Sequence, residues 1–284
     1  MKIDGRTIQL GVIGSPIEHT FSPAIHNFIA EETGDNCVYC AWHVEPENLG
    51  KMIDGVRAMG IRGINVTIPH KVQIMKYLDK ISPEAKLLGS VNTVVNRGGK
   101  LCGYNTDADG FYKALTDFGT CAADKNILVF GAGGVVKPVV MRLIRENPKS
   151  VTILNRTAEK VKRLKSLIYE QMGYEIGTEL ARKEYDIVIN TTSAGMAPQL
   201  DVLPIDAING IDSLDFINEN TTAADMIYNP DETLFLKEAK KRGAGTMNGL
   251  DMLINQAVLA YELFMDKKLE DNIGAKIKKE VFHR

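Results

Sequence analysis

Two rhythms of apolar and polar positions run along this chain. Short runs of β-branched and other apolar residues have the pattern of strands. Each is followed by a stretch whose apolar positions return at the spacing of one helix face. "IQLGVIG" is the first strand. "SPAIHNFIAEETG" follows as a helix, with Ile25, Phe28 and Ile29 on one face and a glycine at its end. "CVYCAWHV" is a strand, "PENLGKMIDGVRAMG" a helix and "IRGINVTIP" a strand, after which "HKVQIMKYLD" and "SPEAKLLGS" are predicted as a helix and a short helix. "VNTVVNRGGKLCGYN" predicts a β-hairpin, because Asn96-Arg97-Gly98-Gly99 is turn chemistry between alternating β-formers.

From about Asp107 the rhythm restarts. Helix "DADGFYKALTDFG", strand "NILVF", a glycine-rich loop and helix "VVKPVVMRLIREN" come first. Strand "SVTILN", helix "TAEKVKRLKSLIYEQMG", strands "YDIVINTT" and "AADMIY", helix "DETLFLKEAKKRG" and a long helix "GLDMLINQAVLAYELFMD" follow. Repeated β-α-β units imply sheets covered by helices with right-handed crossovers. The pattern predicts an α/β protein of two α/β domains, with the ligand in a cleft between them at the carboxyl ends of the strands.

Composition narrows the class. The 284 residues, 44% hydrophobic and 25% charged, are enough for two cores, and the net charge of −2 offers no basic stripe for nucleic acid. The basic C-terminal "AKIKKEVFHR" fits a solvated terminal helix. No signal-peptide layout opens the chain and no apolar run nears the ~20 residues of a membrane span, so a cytoplasmic location is expected. Cys37 and Cys40 form a lone C-x-x-C within a strand pattern; packing is expected for both thiols, and no metal site.

Candidate chemistry starts at "ILVFGAGGVVKP". A strand precedes the glycines and a helix follows them. Gly131 suits the tight turn, and Gly133 lets backbone N–H groups approach a pyrophosphate at the helix N-terminus, with Ala132 and Gly134 completing the loop. Val136 stands where the dinucleotide fingerprint carries Gly or Ala, so the helix is expected slightly off the sheet. The next strand ends in "NRT" rather than in an acid. Neutral Asn155, the planar fork of Arg156, the Thr157 hydroxyl and nearby Lys160 favour a 2′-phosphate, hence NADP over NAD; Thr157 also suits a helix N-cap.

A second constellation lies in the first half. Lys71, in "NVTIPHK", is predicted at the opening of a helix, where a cation is disfavoured unless solvent or a carboxylate attends it. Asp107, in "GYNTDADG", is the candidate partner. Asn92 and Thr67, at strand ends, suit the orientation of a polyhydroxy ligand.

"GSPIEHTFSPAIHN", "NVTIPHK", "GSVNTVV", "GYNTDADGF", "GAGG", "NRT" and "GLDMLINQA", in that order, resemble the motifs of shikimate dehydrogenases from about Leu10 to Phe264. The resemblance implies NADPH-dependent reduction of 3-dehydroshikimate to shikimate, a step toward aromatic amino acids. Lys71 and Asp107 would be the catalytic pair. Ser22, Thr67, Asn92 and Gln256 would bind the substrate's hydroxyls and carboxylate, with Tyr228 lining the same cleft and Met226 and Gly249 near the nicotinamide. The implied fold is an N-terminal substrate domain with a mixed sheet, residues 1–106 rejoined by 249–284, and a Rossmann-type NADP domain at 107–248. Partners are confined to the small-molecule substrate, with no membrane, in a monomer or homodimer.

Two positions depart from the family pattern. Thr20 replaces a serine in "HTFSP", adding a methyl at the carboxylate site that could admit quinate, and Val136 alters the loop. The rival readings are a quinate/shikimate dehydrogenase using NAD as well as NADP, and a silent ligand sensor. "NRT" opposes the first. Retention of both Lys71 and Asp107, with no added DNA-binding segment, opposes the second.

Overall fold

The computed structural model describes residues 3–283. Contacts divide the chain into two compact units, Met1–Gly110 with Ile254–Arg284, and Phe111–Leu253. The first unit opens with β1 (Ile8–Gly14), α1 (Ser22–Thr33), β2 (Cys37–His43), α2 (Leu49–Ala58) and β3 (Gly63–Val66). It continues through β4 (Lys80–Ile81), α3 (Pro83–Leu88), β5 (Thr93–Arg97) and β6 (Lys100–Tyr104) to α4 (Asp107–Asp117), inside which the division falls. In the second unit come β7 (Asn126–Phe130), α5 (Val136–Ile144), β8 (Ser150–Leu154), α6 (Ala158–Met172), β9 (Ile187–Asn190), β10 (Thr222–Asp225), α7 (Leu234–Lys241) and β11 (Gly245–Met247). The division falls again inside α8 (Leu250–Met265), and α9 (Ile273–Phe282) closes the chain.

The first sheet has the order β2-β1-β3-β5-β6-β4 and is mixed: β1 is parallel to β2 and β3, β5 runs antiparallel to both β3 and β6, and β4 is parallel to β6. Gly98 and Gly99 both have positive φ, 63° and 87°, which suits the two-residue hairpin turn expected there. All four residues of β3 are buried, as in a strand covered on both faces. Ile13, Leu49, Ile53, Val56, Ile64 and Val94 lie in the core on one side. On another side the His26 ring stacks on Tyr39 at 4.1 Å and 2°, with Tyr261 and Phe264 each at 6.0 Å. The second sheet is wholly parallel, in the order β11-β10-β9-β7-β8, so its strand direction of progression reverses between β7 and β9. That switch point is where an open α/β sheet takes a ligand.

The periodicity located most elements but not the short strands β4 and β11, and two local expectations are corrected. Residues following His70 do not form a full helix. Lys71 lies in a turn before a five-residue 3-10 segment, Gln73–Tyr77, so no developed helix dipole opposes its charge. The short strands β4 and β11 carry too few residues to show alternation. Cys37 is buried but Cys40 is exposed, because an odd spacing on a strand sends two side chains to opposite faces.

Burial pushes the His26 imidazole down to about 3, while its ordinary value is 6.5. Between those values the unfolded chain binds a proton that the folded chain does not. Stability therefore falls as pH drops, by about 1.4 kcal/mol per pH unit. A His26→Phe variant, which keeps a flat ring against Tyr39, should lose less stability on acidification. Denaturation midpoints at neutral pH and about pH 5 check this; equal acid losses in both proteins would contradict it.

Candidate active site

In the first unit, β3 ends at Val66 and the chain turns through Thr67 to Lys71. Buried His70 anchors this turn by donating from Nε2 to the Val44 carbonyl at 2.7 Å. Lys71 Nζ then donates to Asp107 Oδ2 at 2.7 Å, with side chains 29% and 13% exposed. Asp107 is the first residue of α4, where the helix N-terminus favours an anion. Its second oxygen, Oδ1, accepts from Asn92 Nδ2 at 2.9 Å. Asn92 is itself committed: Nδ2 also donates to Thr106 Oγ1 at 2.9 Å, and Oδ1 accepts from Thr106 N at 2.8 Å and Thr93 Oγ1 at 2.9 Å. An ammonium, a carboxylate and an amide thus form one partly buried group in which the amide is fully bonded and the carboxylate is bonded through both oxygens, while Lys71 gives Asp107 one of its three N–H groups.

The remaining expected residues of this unit fall into two sets. Gln256 lies against the first turn of α4, since a Cβ on Gly110 would come within 2.8 Å of the Gln256 backbone N. Glycine at 110 is what lets the helices approach. Ser22 and Thr67 make no hydrogen bond to the Lys71–Asp107–Asn92 group. Among the described residues the Thr67 hydroxyl has no partner, and Ser22 Oγ accepts from Thr20 Oγ1 at 3.1 Å while Ser22 N donates back to Thr20 Oγ1 at 3.2 Å. The Thr20 hydroxyl is therefore engaged with Ser22.

In the second unit the glycine loop separates two demands. Gly131 has φ 117°, and a Cβ there would sit 2.3 Å from Thr191 Oγ1, which is held by its bond to the Phe130 carbonyl. The fold itself requires that glycine. Gly133 and Gly134 face open space with nothing within 4 Å of a Cβ, and neither has a φ that excludes other residues. The backbone N–H groups of Ala132, Gly133 and Gly134 donate to no acceptor among the described residues. Unused donors at a helix N-terminus, with no side chains over them, fit a phosphate group. Val136 is fully buried at the start of α5.

At the end of β8, Asn155 Nδ2 donates to the Thr157 carbonyl at 3.1 Å. Thr157 occupies the N-cap position of α6 but its hydroxyl makes no capping bond, which corrects the capping expectation. Arg156 and Lys160 have no acidic partner among the described residues, whereas Glu159 faces Arg163 at 3.6 Å. The cations stay open to an anion and the one nearby acid is engaged elsewhere.

Met226 and Gly249 come together: a Cβ on Gly249 would lie 2.2 Å from the Met226 carbonyl oxygen, and Gly249 N donates to the Ile227 carbonyl. The turn bearing Met226 and Tyr228 rests on Asp225, which the motif reading passed over. Its carboxylate accepts from Asn190 Nδ2 at 3.2 Å, Thr233 Oγ1 at 2.7 Å and Ile227 N at 3.0 Å. Burial pushes the Asp225 carboxyl up against these bonds, and burial also raises the Tyr228 phenol. The signal for Asp225 was an acid ending an otherwise small and apolar strand. Among the described residues no cluster of His, Cys, Asp or Glu suits a metal ion, and no helix is long and apolar enough to cross a membrane.

Residues 12–94 match the family model described as the shikimate dehydrogenase substrate binding domain. Residues 113–198 match that described as shikimate / quinate 5-dehydrogenase. The shikimate dehydrogenase (NADP(+)) of Methanocaldococcus jannaschii is 44% identical over 269 residues, spanning 92% of this chain and 93% of that protein. A crystal structure of a shikimate dehydrogenase in complex with NADP+ superposes with a TM-score of 0.88 at 41% identity, covering 97% of this chain and 96% of that one. The shikimate 5-dehydrogenase of Listeria monocytogenes, solved with shikimate and NAD, has a TM-score of 0.87 at 32% identity and covers 98% of each. The chain belongs to the shikimate dehydrogenase family.

The loop makes a structural prediction. Gly131→Ala should lower the melting temperature, by strain on the order of 1–3 kcal/mol, whereas Gly133→Ala and Gly134→Ala should melt with the parent. Calorimetry decides; a parent-like Gly131→Ala would show that Thr191 yields.

Proposed function

We propose that this member of the shikimate dehydrogenase family reduces 3-dehydroshikimate to shikimate, reversibly, with NADP(H) as its cofactor. The observation that carries the reading is the Lys71–Asp107 pair at 2.7 Å, braced by Asn92. Residues 1–106 with 249–284 would serve the substrate and residues 107–248 the nucleotide.

Bound NADPH supplies the hydride. Lys71, oriented by Asp107, points one N–H at the ketone oxygen, and its charge stabilises that oxygen as it becomes an alkoxide. The proton that completes the hydroxyl comes from the Lys71–Asp107 pair. In the oxidation direction the same pair takes the hydroxyl proton. Asn92 keeps the carboxylate aimed at Lys71, so the cation holds one position while the oxygen changes charge. Ser22, Thr67 and Gln256 would hold the substrate's hydroxyls and carboxylate, with Tyr228 as an additional wall, while Asn92, whose amide is spent on Thr106 and Asp107, serves the site by fixing Asp107. Thr20 acts through Ser22, whose hydroxyl it orients.

Ala132, Gly133 and Gly134 would hold the pyrophosphate with their unused N–H groups, above the turn made by Gly131. Asn155, Arg156, Thr157 and Lys160 would take the ribose 2′-phosphate. The pairing of Glu159 with Arg163 removes the acid that an NAD site would direct at the ribose hydroxyls. Met226 and Gly249 would flank the nicotinamide.

Initial rates of shikimate and quinate oxidation, each with NADP and with NAD, test the reading. NADP-dependent shikimate turnover should dominate, and Lys71→Ala should lower it by several orders of magnitude with NADP affinity retained. Comparable quinate or NAD rates would assign the chain to the dual-specificity branch; absence of turnover would overturn the reading. Arg156→Ala should weaken NADP binding and leave NAD binding nearly unchanged. Equal weakening of both would refute a 2′-phosphate contact.

A further inference from the structure

Asp107 can only accept hydrogen bonds when ionised, and together with a backbone donor, Thr106 N, and a backbone acceptor, the Asn92 carbonyl, it sets the direction of the bonds behind it. Asn92 must turn its NH2 toward Asp107, so its carbonyl faces the other way and takes the Thr93 hydroxyl at 2.9 Å. With its proton spent there, Thr93 Oγ1 can only accept from Asn65, whose Nδ2 donates to it at 3.1 Å and to the Asn92 carbonyl at 3.2 Å. The Asn65 carbonyl then faces outward along the chain of bonds and requires a donor. Tyr39 provides it, from its hydroxyl to Asn65 Oδ1 at 2.7 Å. Tyr39, Asn65, Thr93 and Asn92 are each at most 6% exposed, so water does not substitute for any member.

Tyr39 is itself held from several sides. Its backbone N–H and carbonyl are both bonded to the Asn27 side chain, at 2.9 and 3.0 Å. Its ring lies flat on His26, which is 1% exposed and has no partner for either ring nitrogen. His26 therefore contributes a neutral flat surface and no hydrogen bond. The polarity of the chain makes Tyr39 more than a core aromatic: its O–H is the terminal donor of an ordered series that ends on the carboxylate holding Lys71.

We propose that Tyr39 is a positioning residue for the Lys71–Asp107 pair, acting through Asn65, Thr93 and Asn92. This rests on the reading of that pair as the reactive group. Thr106 N also donates to Asn92 Oδ1, at 2.8 Å, so loss of Tyr39 loosens Asn92 without releasing it.

The test is Tyr39→Phe, which keeps the ring on His26 and removes only the donor. Its kcat/KM for shikimate should fall by about tenfold, the scale of one hydrogen bond, with KM for NADP unchanged. Thr93→Val breaks the same series at its middle, so Tyr39→Phe combined with Thr93→Val should lose less than the product of the single losses. Parent-like kcat/KM in Tyr39→Phe, whatever its melting temperature, overturns the proposal, as do multiplicative losses. A parent protein that turns over no shikimate would refute the functional reading instead. The positioning is then read without turnover, from the side-chain amide resonances of Asn65 and Asn92 in 1H–15N spectra. Tyr39→Phe should shift both; an unmoved Asn92 amide overturns the coupling.

Discussion

An ammonium and a carboxylate kept close together and partly out of water set the terms for the first unit. Such a pair repays its desolvation only when the remaining valences of both partners are satisfied. The carboxylate of Asp107 meets that condition through Asn92 on one side and through its position at the start of α4 on the other. The hairpin β5-β6 delivers Asn92 and Thr106 to opposite sides of one bond network, and the His70 anchor brings Lys71 up to it. A mixed sheet serves this arrangement, because the antiparallel hairpin returns the chain to the strand end from which Lys71 departs.

The second unit follows the opposite rule. Where the first bonds Asp107 and Asn92 internally, the loop after β7 leaves backbone donors unused, and the end of β8 leaves two cations without acids among the described residues. Groups left in that condition gain more from an anionic ligand than groups already paired would. Glycine plays two separate parts in the same loop. At 131 the backbone angle and Thr191 demand it, whereas at 133 and 134 the protein makes no demand and an approaching ligand would.

Much of this was legible in the order of residues. Strand and helix periodicity located the long elements, turn chemistry located the hairpin, and the glycines with "NRT" carried the nucleotide reading. Short elements were not legible: β4 has two residues and β11 three, below the length at which alternation means anything. The stretch after His70 has helical spacing but forms only a 3-10 segment. Cys40 shares a motif with Cys37 and has the opposite environment. Asn65 lay inside a motif already noticed, yet nothing in its neighbours distinguishes a buried, fully bonded polar side chain from a solvated one; for Asp225 the only sign was an acid ending a strand of small residues.

The sequence by itself determined the α/β rhythm, the loop chemistry and the family, since each depends on residues close together in the chain or on motifs in a fixed order. Only the tertiary structure decided which polar groups meet. Lys71 and Asp107 are 36 residues apart, and Tyr39 and Asn65 are 26 apart. The inclusion of residues 254–284 in the first unit is likewise a matter of contacts. Periodicity reports which face of an element is buried. It carries no information about which donor faces which acceptor, because that is settled when distant strands pair and bring buried polar atoms together.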